Sequence, residues 1–152
     1  MLIGEYTHTQ DEKKRISLPA KFRKELGKKV VITHGLDNCL FLYTMKEWTT
    51  IADRLGGLSM GAADSRGFNR IMLAGAVELD IDSNGRILIP DFLREYAQIA
   101  DKSQDKSANK VVFAGVHSRV EVWNEETWKG YKSRILKSAD QLAQKLGDIG
   151  VI

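Results

Sequence analysis

With a single cysteine, Cys39, the chain can form no intramolecular disulfide, and it can build neither a thiolate zinc cage nor a Cys-x-x-Cys redox pair. Its expected role is that of a small buried apolar side chain. Histidine is almost as scarce, and His8, His34 and His117 fall into no metal-ligand spacing. Cys39 lies near His34 but has no third residue to orient a nucleophilic pair. There is no glycine-rich phosphate loop. Enzyme readings therefore find no support, and no cofactor is expected. No uninterrupted apolar run approaches the ~18 residues of a membrane span, and Met1 to Glu5 lacks a basic segment followed by an apolar one. A cytoplasmic protein without a membrane partner is expected. Only two prolines are present, Pro19 and Pro90.

Those two prolines close the two halves of an internal repeat. Asp11-Glu12-Lys13-Lys14-Arg15-Ile16-Ser17-Leu18-Pro19 returns 71 positions later as Asp82-Ser83-Asn84-Gly85-Arg86-Ile87-Leu88-Ile89-Pro90. Downstream the offset becomes 80, where Val31-Ile32-Thr33-His34-Gly35 meets Val111-Val112-Phe113-Ala114-Gly115 and Trp48 meets Trp128. The difference is a nine-residue insertion, assigned to the polar run Asp101 to Lys110. Each copy is too short to bury a good core alone, so the two are expected to fold around one another.

Each copy has the same plan. Strands are predicted over 4–9 and 15–18, a helix opened by Pro19, and a hairpin over 30–33 and 40–43. Thr44 and Glu47 have capping-box spacing, so a helix begins at Met45 and turns Trp48, Ile51 and Leu55 inward. A glycine-interrupted helical connector follows to Ala74. The second copy repeats with strands over 76–81, 86–89, 110–114 and 119–123 and a helix from Pro90 to Ala97. Asn124 caps a last helix in which Trp128, Tyr131, Ile135, Ala139, Leu142 and Leu146 form an apolar stripe for the core or a neighbouring subunit. Trp48 and Trp128 read as core residues.

The copies differ in charge. Residues 1–29 hold eight bases against four acids, whereas 75–110 hold five against seven. The repeated motif is a tight Asp-x-x-x-Arg turn between two short strands. One reading is structural, with Asp11–Arg15 and Asp82–Arg86 as intra-turn ion pairs that contribute little at a surface. The other is a loop offering an arginine to a guanine edge or a phosphate while the aspartate holds it. Lys13-Lys14-Arg15 favours the second, because three adjacent cations repel one another and a polyanion would use them all. The candidate DNA-binding residues are thus Lys13, Lys14, Arg15 and Arg86, with Asp11 and Asp82 supporting the turns.

These motifs, with Gly4-Glu5-Tyr6, Leu18-Pro19-Ala20-Lys21-Phe22-Arg23, Gly35-Leu36-Asp37 and Trp123 to Trp128, resemble the MraZ family of bacterial transcriptional regulators. The resemblance implies an α+β, mainly β chain with a duplicated swapped-hairpin, AbrB-like β-barrel and flanking short helices. Its parts would be a first SpoVT/AbrB-type domain over 1–50, a helical connector over 51–74, a second such domain over 75–124 and a C-terminal amphipathic helix over 125–152. It further implies a ring-shaped homo-oligomer, associated with the nucleoid, that binds short direct repeats in double-stranded promoter DNA. The genes concerned would be the division and cell-wall cluster, including the regulator's own. The alternative is an antitoxin-like protein-interaction module of the same swapped-hairpin kind, although the helical patterning of the tail speaks against a disordered arm. The first motif departs from the family pattern by carrying Lys14 where glycine is usual, as at Gly85; a left-handed turn would make that substitution costly.

Overall fold

The computed structural model describes residues 1–99 and 109–151. Most of the insertion assigned to 101–110 lies outside the described residues. Strand β1 (Leu2–Thr9) and the short β2 (Ile16–Ser17) lead into helix α1 (Ala20–Leu26), and β3 (Lys29–His34) and β4 (Leu40–Thr44) form a hairpin. Helix α2 (Met45–Gly56) starts where the Thr44 hydroxyl accepts the Glu47 N–H at 3.1 Å. It runs through the expected boundary at residue 50. The connector contains α3 (Ala63–Asn69) followed by a π-type turn over Arg70–Ala74. The second copy gives β5 (Val77–Asp80), β6 (Arg86–Ile87), α4 (Asp91–Tyr96), β7 (Lys110–His117) and β8 (Arg119–Asn124). Pro19 and Pro90 stand just before their helices, with extended ψ of 131° and 147°, and not at the first helical position.

The copies are interlaced by their strands. β1 of the first copy pairs antiparallel with β7 of the second, and β5 of the second pairs antiparallel with β3 of the first. The sheet order β1-β7-β8-β4-β3-β5 places the two hairpins side by side, joined through Leu40↔Val122, Phe41↔Glu121 and Leu42↔Val120. Phe41 and Glu121 are equivalent by the offset of 80, so a local two-fold relation passes between them. β2 and β6 form a separate two-stranded ribbon in which Ile16 faces its own counterpart, Ile87. The closed barrel expected from the resemblance is corrected here: β1 and β5 are free edges of an open antiparallel sheet among the described residues.

Alternation along the strands covers both sheet faces. Val30, Ile32, Leu40, Leu42, Val111 and Phe113 point to one side, where Phe22 and Leu26 of α1, Leu93 of α4 and Ile16 and Ile87 of the ribbon bury them. Phe41, Tyr43, Val112, Ala114 and Trp123 point to the other, packed by Leu55 with Trp48 and Ile51 of α2 and Trp128 and Tyr131 of α5 (Glu125–Lys137). Trp48 and Trp128 are thus packing residues, and Trp123 is buried between Trp128 and Tyr131.

The last helix differs from expectation. The Asn124 side chain accepts the Thr127 N–H as predicted, but Ser138, at φ −107° and ψ 8°, breaks the helix into α5 and α6 (Ala139–Asp148). The apolar stripe leaves the core after Tyr131, and Ile135, Leu142 and Leu146 are exposed.

Candidate nucleic-acid interface

Each Asp-x-x-x-Arg segment closes a turn by itself. The Asp11 N–H donates to Arg15 O and the Lys14 N–H to Asp11 O, each at 2.9 Å. Asp11 Oδ1 then accepts the backbone N–H of Lys13 and of Arg15, both at 2.9 Å, and Oδ2 accepts Arg15 Nε at 2.7 Å. The second turn repeats this: Asp82 Oδ1 accepts the N–H of Asn84 and Arg86, and Oδ2 accepts Arg86 Nε at 2.9 Å. An aspartate bonded to its own downstream backbone is the turn-forming chemistry of this residue. It also anchors the arginine by Nε and leaves the outer guanidinium edge to meet something else.

The carboxylates titrate accordingly. Partial desolvation pushes the Asp11 carboxyl up. The backbone and side-chain hydrogen bonds from Arg15, its charge and the Lys13 N–H outweigh that and hold the group below the ordinary range. For Asp82 the Arg86 N–H is the largest influence, opposed by desolvation and reinforced by the Arg86 side chain and the Asn84 N–H; the net shift is again downward.

Pairing of β2 with β6 sets the turns next to one another, and Arg86 Nη1 comes within 3.8 Å of Asp11 Oδ2. Asp11 therefore faces both arginines. Arg15 is engaged through Nε alone and is the more exposed, at 33% against 25% for Arg86. Lys13 is exposed and Lys14 partly so. All six residues singled out by sequence, Asp11, Lys13, Lys14, Arg15, Asp82 and Arg86, thus lie on the two adjoining turns.

Arg23, Asp91 and Arg94, beside these turns, were not among the residues singled out. Arg23 of α1 donates Nε to Leu18 O at 2.9 Å, and its guanidinium lies against Gly85, where an added Cβ would come within 2.5 Å of Cζ. Gly85 has φ +74°. A side chain there would have to adopt the left-handed conformation that glycine takes freely and would displace the Arg23 guanidinium. In the first turn Lys14 occupies the equivalent place at φ +64°, so the turn keeps the left-handed geometry that glycine ordinarily supplies. Arg94, the counterpart of Arg23 by the same offset of 71, is 3% exposed, with Nη2 3.5 Å from Asp91 Oδ1. The same oxygen lies 4.0 Å from Lys14 Nζ. The alignment of Arg23 with Arg94 was the available signal, visible only once the repeat is extended past the prolines.

A left-handed non-glycine residue is strained by roughly 1–2 kcal/mol, partly offset by the smaller entropy its unfolded chain has to lose. Lys14→Gly is therefore expected to stabilise the fold by about 0.5–1 kcal/mol while weakening DNA binding. Thermal melts together with a binding titration would check both signs.

Elsewhere the structure offers little chemistry. Burial pushes the Cys39 thiol far up, away from the thiolate a nucleophile needs. Among the described residues no group of His, Cys, Asp and Glu could hold a metal ion, and no helix is long and apolar enough to cross a membrane.

The fold and the doubled turn define a tandem-repeat α+β protein whose two copies share one sheet and one pair of arginine-bearing turns. A family model described as "MraZ protein, putative antitoxin-like" matches twice, over residues 1–71 and 72–148. The chain is 47% identical to the transcriptional regulator MraZ of Thermoanaerobacter sp., over 99% of this chain and all of that one. It is 46% identical to that of Caldanaerobacter subterraneus subsp. tengcongensis and 44% to that of Caldicellulosiruptor saccharolyticus, with the same coverage. The chain belongs to the MraZ family.

Proposed function

We propose that this chain is a sequence-specific DNA-binding regulator of transcription, and that hairpin turns, not a helix, meet the duplex. The observation that carries this reading is the juxtaposition of two arginines, each locked by its own aspartate, beside Lys13 and Lys14. An anchored guanidinium suits bidentate recognition of a guanine edge. Arg15 is the base reader, Lys13 and Lys14 hold phosphates, and Arg86 plays an equivalent or positioning part. The names of the relatives, transcriptional regulator MraZ, agree with this.

The finer reading is a ring of copies that repeats the basic turn around one face and engages short direct repeats upstream of the division and cell-wall genes, its own included. Multiplying weak contacts in this way raises avidity without new chemistry. Exchange of first strands between copies supports a swapped-hairpin architecture, and the exposed stripe of α5 and α6 supports self-association. Nucleoid association would follow from DNA binding. An antitoxin-like role would call for an extended arm around a partner; α5 and α6 are helical instead.

A gel shift tests the proposal: DNA from just upstream of the protein's own gene against an unrelated fragment, at several salt concentrations. Tighter binding of the native fragment at every salt, with log affinity falling linearly in log salt, is expected. A folded protein that ignores that fragment at low ionic strength would end the proposal.

A further inference from the structure

The two turns face opposite helices, and there the local symmetry fails. Over Gly85 the guanidinium of Arg23 lies on the turn and bonds Leu18 O. At the first turn Lys14 carries a side chain where Arg23 finds space, and Arg94 makes no equivalent bond. Arg94 is buried, and its Nε and Nη1 have no hydrogen-bond partner among the described residues. Its sole ion pair among them is the single long contact from Nη2 to Asp91. A buried guanidinium this poorly paired is costly. Asp91 cannot repair it, because its carboxylate sits one helical turn away on the same helix and meets Arg94 with one oxygen at 3.5 Å. The same oxygen meets Lys14 at 4.0 Å, and the Asp91 side chain is 77% exposed, a pairing of little strength.

We propose that Lys14 and Arg94 form a phosphate site between the first turn and α4, that the Asp91 carboxylate stands in for the phosphate in the free protein, and that a DNA backbone phosphate displaces it. A backbone phosphodiester has two non-bridging oxygens, one for the Lys14 ammonium and one for Nη2 of Arg94, the two groups that now share Asp91 Oδ1, and bonds between ionised partners of this kind are the strong ones. Asp91 is then an internal competitor that lowers affinity for all duplexes alike. This rests on the DNA-binding reading and adds to it a phosphate ligand from the second copy and a built-in brake.

The test is Asp91→Asn, with Glu95→Gln on the same helix as a control of equal charge change. Fluorescence anisotropy with the upstream fragment and an unrelated duplex, over a salt series, is expected to show Asp91→Asn binding both about 3- to 10-fold more tightly, with a salt slope steeper by up to about one ion. Glu95→Gln is expected to shift affinity less than about 2-fold. Arg94→Gln should weaken both duplexes and flatten the slope. Equal gains from Asp91→Asn and Glu95→Gln would reduce the effect to general field and overturn the site, as would any loss of affinity in Asp91→Asn. If the parent protein binds no DNA at all, the DNA-binding reading fails separately. Thermal shift with inorganic pyrophosphate then decides the site: stabilisation larger in Asp91→Asn than in Glu95→Gln upholds it, and equal stabilisation refutes it. That comparison also stands in for Arg94→Gln should the variant not fold.

Discussion

Arg15→Ala is expected to lower operator affinity about 100-fold at fixed salt, against about 10-fold or less for Arg86→Ala. A good bidentate contact to a base discriminates by roughly 1–3 kcal/mol, and each 1.4 kcal/mol is tenfold in affinity; several turns engaged at once raise the effect of losing one in every subunit. The asymmetry follows from the geometry of the two turns. Arg15 is held by Nε alone, whereas Nη1 of Arg86 is drawn toward Asp11 and the side chain is less exposed. The first turn also has Lys13 and Lys14 beside it, where the second has Asn84 and Gly85. Binding titrations of both folded variants against the upstream fragment would measure this, and equal losses would contradict it. Acid dependence should follow the carboxylates. Their folded-state values are depressed, so the order they give the turns is fully present above the ordinary carboxylate range. It is lost as pH falls through the lowered values.

What the sequence made legible was whatever the repeat or a local rule specifies. The duplicated Asp and Arg gave the turns, because an aspartate two and four residues upstream of free N–H groups needs no tertiary partner to bond them. The Thr44 and Asn124 caps were readable for the same reason. The long-range choices were not. Nothing in Leu2 to Thr9 says that it pairs with β7 and not with β3, since alternation fixes a strand's faces and not its neighbour. The open sheet in place of a barrel, and the break at Ser138, depend on how whole elements dock. The repeat aligns Arg94 with Arg23, but the burial of Arg94 and its place beside Asp91 and Lys14 follow from how α4 docks, which no local pattern specifies.

Strand exchange leads to the second large expectation: the chain unfolds in one cooperative transition, and Ile16→Ala or Ile87→Ala each destabilises the whole by about 3 kcal/mol. Ile16 is 0% and Ile87 1% exposed, and they face one another across the ribbon that joins the copies. Truncating either removes buried methyl groups and leaves a cavity shared by both halves, under α1 and α4 alike. For a chain of this size such a change lowers Tm by roughly 10 °C. The double variant should lose less than the sum of the singles, because the second truncation enlarges a cavity already opened. Neither copy can stand when the other melts: β1 has its partner in the second copy and β5 has its partner in the first. Calorimetry and circular dichroism on the three variants would check this. Two resolved transitions, or full additivity at these paired positions, would mean that the copies hold separate cores despite their shared sheet.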